Sequence, residues 1–214
     1  MLTLPEQLLI LATHQEKATA ANTSLRFGLI GAVIAELLLQ GKIERRGVDL
    51  CCQVPAASSD EVLNDALMLM RHGNKEQSAK YWVNYLSAHM KRLRPRLFAQ
   101  LVAKGLMTVN DERILGLFHH RTHRLTDAHT ALCLKDQLRQ VLFQPFAPTR
   151  RQVAIIGLIK PSGLNLFTRE ERGAARARID EILKNDPISK AVSQAIVEAG
   201  ATAAIIAASA AAGA

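Results

Sequence analysis

The run from Ser24 to Leu39, SLRFGLIGAVIAELLL, constrains the fold more than any other stretch. Phe27, Ile30, Val33, Ile34, Leu37 and Leu38 recur at helical spacing and form a wide face that must be buried. Gly28 and Gly31 lie three apart within it. Each weakens a helix by about 1 kcal/mol relative to alanine, so close approach of a neighbouring backbone is the expected return. Gly41 stops this helix, and Lys42 to Arg46 follows as an alternating stretch suited to a strand or wing. A composition 49% hydrophobic but only 4% aromatic favours helix-on-helix packing over a sandwich or barrel. The expected class is therefore mainly α: a single-domain helical bundle over residues 1–214, with no low-complexity linker to divide it.

Helix starts are marked along the rest of the chain. Thr3 with Glu6, and Thr168 with Glu171, have capping-box spacing, while Ser59 or Asp60, Asp127 and Thr149 are expected N-cap residues. A helix is predicted from Glu76 to about Met90, carrying Tyr81, the sole tryptophan Trp82, Tyr85 and Leu86. The Ala-rich helix predicted over 187–214 is apolar on most sides and is a candidate for the centre of the bundle. Its last part, Ala199 to Ala214, is uncharged but shorter than the roughly 20 residues that span a bilayer. The amino-terminal segment lacks the basic region and cleavage pattern of a secretory signal.

The segment most informative about function is Lys91 to Thr126. Leu93, Leu97, Phe98, Leu101 and Val102 form a buried helical stripe, Gly105 ends it, and a β-hairpin is expected within about 107–124. Thr108 to Glu112 reads as its turn and Ile114 to Phe118 as a short apolar strand. Lys91, Arg92, Arg94 and Arg96 crowd the helix start, where they oppose the macrodipole, and a bound anion would account for them. The bland alternative is a solvated basic face.

A formal charge of +8 and a pI near 9.8 call for an acidic partner, nucleic acid or an anionic membrane. Three cysteines without framework spacing fit a reducing cytoplasm. His119, His120 and His123 with Cys51 and Cys52 lack metal-site spacing, and no nucleophile elbow, phosphate loop or carboxylate pair suggests catalysis. No metal, cofactor or catalytic residue is expected. Two readings remain. Repeated helix–glycine–wing units could contact DNA phosphates through Arg92, Arg94, Arg96, Arg121 and Arg124; alternatively, the basic face meets anionic headgroups.

Several motifs decide the preference. Phe27-Gly28-Leu29-Ile30-Gly31 through Glu36-Leu37-Leu38-Leu39-Gln40-Gly41-Lys42-Ile43, Arg94-Pro95-Arg96-Leu97 through Leu106, Leu8 to Lys17, and Thr122-His123-Arg124-Leu125-Thr126 together resemble the Golgi phosphoprotein 3 family across nearly the whole chain. The resemblance implies a mainly helical domain with a protruding hairpin and a non-enzymatic, peripheral membrane role in the cytoplasm, and it makes a nucleic-acid partner the weaker alternative. Eukaryotic members recognise phosphatidylinositol 4-phosphate through one tryptophan and three arginines, and bind cytoplasmic tails of glycosyltransferases. Carried over residue by residue, two arginines become Lys91 and Arg94, while the tryptophan becomes Ala21 and the remaining arginine Ile30. A headgroup site at Lys91 and Arg94, supported by Arg92 and Arg96, is thus expected with phosphoinositide selectivity weakened or lost. The shorter form fits the family's prokaryotic branch. The resemblance also implies a protein client and self-association through the hairpin, here by Ile114, Leu115, Leu117 and Phe118.

Overall fold

The computed structural model describes residues 1–15, 23–52, 57–72, 76–114, 118–186, 188–198 and 200, with the backbone alone at 111–114 and 118–121. At its centre is α2, Thr23–Leu39, of whose seventeen residues twelve are buried. It is surrounded by α1 (Leu4–His14), α3 (Glu61–His72), α4 (Ala79–His89), α5 (Leu93–Ala103) and α7 (Arg150–Ile159). Outside these, α6 (His129–Phe143) covers α1, and α8 (Arg172–Lys184) packs on α6 and α7. A ninth helical segment, α9, spans residues 188–198. One apolar cluster runs through the bundle and includes Leu8, Ile34, Leu63, Trp82, Leu97, Ile156, Ala175 and Ile196. The described residues are mainly helical, as the periodicity requires.

Two small antiparallel sheets flank the helices. β1 (Ile43–Arg46), β2 (Asp49–Cys52) and β3 (Glu76–Ser78) pair in that order, and Trp82 Nε1 donates to the Leu50 carbonyl at 3.1 Å to fasten the sheet to α4. β4 (Met107–Ile114) and β5 (Phe118–Leu125) form the hairpin, in register from Met107 opposite Leu125 to Ile114 opposite Phe118. Gly105, at φ +72°, turns the chain out of α5 into β4, a conformation that an L side chain would strain. At the base, the His123 ring stacks on Phe98 of α5, centroids 4.0 Å apart.

Three local expectations are corrected. Thr108 to Glu112 lies within β4 and is not the turn, and β4 ends at Ile114, where the apolar strand was expected to begin. The chain therefore reverses between Ile114 and Phe118; Leu115 and Leu117 lie outside the described residues. Glu76–Ser78 is a strand, and the following helix starts only at Ala79, with Ser78 Oγ accepting from Tyr81 N. Local propensity there yields to pairing with β2. Finally, of the helix predicted over 187–214 the part from 201 on lies outside the described residues; α9 buries Ser189, Val192, Ala195 and Ile196 and exposes Lys190, Val197 and Glu198, so it packs by one face and α2 takes the centre.

The close approach of a backbone expected at the α2 glycines is present at Gly28, whereas Gly31 is approached by side chains. A Cβ added at Gly28 would stand 2.7 Å from Ser162 Cβ and 3.2 Å from Ser162 Cα; one at Gly31 would crowd Ile196 and Leu158. Near the other end of α2, Glu36 is only 3% exposed. Its Oε2 accepts from Leu4 N at 2.7 Å and Arg151 Nη2 at 2.7 Å, and its Oε1 from Gln40 Nε2 at 2.9 Å. Arg151 also donates to the Leu2 carbonyl at 2.6 Å, so one ion pair ties α1, α2 and α7. Beside it, fully buried Glu6 receives Lys104 Nζ at 2.7 Å and Thr3 N at 2.9 Å. At the periphery, the Arg139 guanidinium and the Thr168 amide hold the Glu171 carboxyl down to about 2.

Gly28→Ala is expected to lower stability by about 1–3 kcal/mol in urea unfolding, and adding Ser162→Gly should recover part of that loss. Glu36→Gln, which strands the Arg151 charge, is expected to cost about 3 kcal/mol, whereas replacing both partners with leucine should cost less.

Candidate functional site

Where α2 begins, it faces the junction of α4 and α5 across a cleft of about 350 Å³. One wall is Thr23, Arg26, Leu29 and Ile30, on successive turns of α2. The other is the chain from Ala88 and Met90 through Pro95. Four cations line the cleft, Arg26, Lys91, Arg92 and Arg94, and no carboxylate is among its lining residues. Leu29, Ile30 and Leu93 are buried and supply an apolar base.

The backbone brings these charges together by a local distortion. After Met90 the chain leaves α4, and Arg92 takes a left-handed conformation, φ 55°, the sole such residue other than glycine among the described residues. An arginine held there costs about 1–2 kcal/mol. Its carbonyl accepts from Arg96 N at 3.1 Å, so the same residue ends the turn and starts α5. α5 has no acidic residue in its first turn, so the positive end of its dipole adds to the side-chain charge. Strain of this kind concentrates at functional positions. On the opposite wall, Arg26 Nη2 donates to the Ser87 carbonyl, which anchors its guanidinium at the rim.

Of the residues expected at a headgroup site, Lys91, Arg92, Arg94 and Ile30 meet in this cleft. Arg96 points elsewhere: it pairs with Glu61 at 3.1 Å and Asp65 at 2.7 Å on α3. Ala21 lies outside the described residues. Arg26 was missed by the sequence reading, although its i, i+4 spacing from Ile30 puts both on one helical face. The cysteines and histidines are dispersed. Burial pushes the Cys51 and Cys52 thiols up, and His123 is stacked on Phe98. Among the described residues, no three His, Cys, Asp or Glu side chains gather as a metal site, and no helix is long and apolar enough to cross a membrane.

What the cleft can do chemically is hold an anionic group between two basic walls while apolar parts of a ligand rest on Ile30 and Leu93. Comparison with known proteins agrees with the fold. No curated protein matches the chain. A family model described as Golgi phosphoprotein 3 (GPP34) matches residues 4–199, from the first turn of α1 to just past α9. With nearly all of its length matched, the chain belongs to the Golgi phosphoprotein 3 family.

Proposed function

We propose that this protein is a non-enzymatic, peripheral membrane-binding protein of the cytoplasm that seats anionic phospholipid headgroups in the cleft between α2 and the α4–α5 junction. The observation that carries the reading is the gathering of Arg26, Lys91, Arg92 and Arg94 around one cleft whose lining has no acidic residue. Each basic residue close to an anionic surface contributes about 1 kcal/mol of attraction, which salt screens. Ile30, 1% exposed, offers no donor where the eukaryotic relatives are expected to use an arginine, so selectivity for a phosphoinositide is weak. A nucleic-acid role has less support: α2 is enveloped on most sides and cannot enter a groove, and the wing after it is closed into a three-stranded sheet.

Self-association through the hairpin is the companion proposal. Among the described residues β4 and β5 pair only with each other, which leaves an outer edge on each strand for a second copy. The apolar residues Ile114, Leu115, Leu117 and Phe118 around its tip would supply the contact. A protein client could then be gathered at the membrane by such an assembly.

Two measurements test these readings. The double variant Lys91→Glu, Arg94→Glu is expected to reduce partitioning onto phosphatidylglycerol-containing vesicles in flotation by roughly tenfold or more, with unchanged circular dichroism; unchanged flotation would reject the cleft. For the hairpin, deletion of residues 113–120 should lower the mass seen by light scattering, and a variant that keeps the parent mass rejects assembly through it.

A further inference from the structure

At the end of α2 away from the basic cleft, a second cavity of about 510 Å³ opens between the helices. Its wall includes Thr3 at the start of α1, Glu36 and Gln40 at the end of α2, Asp60 before α3, Gln100 of α5 and Arg151 of α7. Among the described residues, three buried side-chain polar atoms have no hydrogen-bond partner: Thr3 Oγ1, Gln100 Oε1 and Arg151 Nε. All three belong to residues that line this one cavity. Buried polar atoms are nearly always paired, and an orphaned one is destabilising, so their gathering in one place calls for partners from outside the chain.

We propose that this cavity binds a small, uncharged, hydroxyl-rich molecule of the polyol or monosaccharide class. The orphaned atoms set the pattern of the ligand. Gln100 Oε1 can only accept, Arg151 Nε can only donate, and the Thr3 hydroxyl can do either. A hydroxyl both donates and accepts, so one kind of group serves all three. Neutrality follows from the charges of the wall, which are already answered. Arg151 holds Glu36 at 2.7 Å, Lys104 holds the buried Glu6 at 2.7 Å, Arg96 holds Glu61 at 3.1 Å, and Asp60 Oδ1 accepts from Leu63 N at 3.0 Å in the first turn of α3. An entering ion would have to break one of these pairs, in contrast to the basic cleft, whose cations face no lining carboxylate. The three atoms are enclosed in the free protein, and short rotations bring them to an occupant, since a threonine hydroxyl turns freely and the last torsion of glutamine is broad. The volume lies within the roughly 300–1,000 Å³ of small-molecule sites.

The full chain is titrated with glycerol, myo-inositol and glucose, with inorganic phosphate and spermidine as charged controls, and followed by thermal unfolding and saturation-transfer NMR. The expected result is a saturable rise in Tm of about 5 °C at a hundredfold excess over Kd with at least one neutral compound. Saturation separates binding from the general stabilisation that excluded polyols give any protein. Ala103→Phe, at an exposed lining position of α5, fills the cavity, and Gln100→Leu removes an orphaned acceptor. Both should keep the free protein's Tm within about 2 °C and weaken binding by about tenfold or more. Lys91→Glu, Arg94→Glu should bind the same compound unchanged, so loss of the headgroup reading would leave this site standing. No saturable response to any of the neutral compounds would mean that the cavity holds water alone, and overturns the proposal. A response confined to phosphate or spermidine, or one undiminished in Ala103→Phe, overturns it as well.

Discussion

The contact on which this architecture depends most is the carboxylate of Glu36 inside the bundle. A buried charge must be paired and its remaining hydrogen-bonding capacity filled, or the site is lost. Here Arg151 supplies the opposite charge, while Leu4 N and Gln40 Nε2 take the remaining lone pairs. Hydrophobic burial alone would let α1, α2 and α7 slide against one another, since one leucine contact resembles the next. A carboxylate that needs three specific donors admits one register. The adjoining pair of Glu6 with Lys104 extends the same demand to α5.

Fixing α2 at its carboxyl-terminal end has a consequence at the other. The glycines at 28 and 31 let Ser162 and α9 approach closely, so α2 is gripped along most of its length. Its first two turns are then held rigidly opposite the α4–α5 junction. That junction is shaped by Arg92, whose strained backbone allows one helix to end and the next to begin within the chain from Met90 to Leu93. Rigidity on one wall and a tight, strained turn on the other keep like charges together that would separate if either side could relax. An anion bound there, as proposed, would offset this repulsion.

Much of the fold was legible because helices report themselves locally. The 3.6-residue period of α2 and α5, the capping residues Asp60 and Thr149, and the glycines that end α2 and α5 all act within a few residues. The strands were read less well. Glu76–Ser78 has no strand pattern of its own and is extended because β2 lies alongside. In the hairpin, the mostly polar run from Thr108 to Glu112 looked like a turn, yet a two-stranded ribbon tolerates polar residues on both strands. Among the hairpin residues whose side chains are described, burial, the usual pin for strand register, is confined to Met107.

The candidate site divides in the same way. By itself the sequence determined that α2 would be buried and that basic residues would crowd the start of α5, both of which depend on neighbours in the chain, since helical spacing is a local property. A headgroup site at Lys91 and Arg94 was what the family resemblance implied. Only the tertiary structure decided that Arg26 shares the cleft, that Arg96 is taken up by Glu61 and Asp65, and that α2 takes the centre of the bundle while α9 packs by one face. Those outcomes depend on which helix faces which. That choice is set by side-chain volumes and paired charges far apart in sequence, which no short window contains.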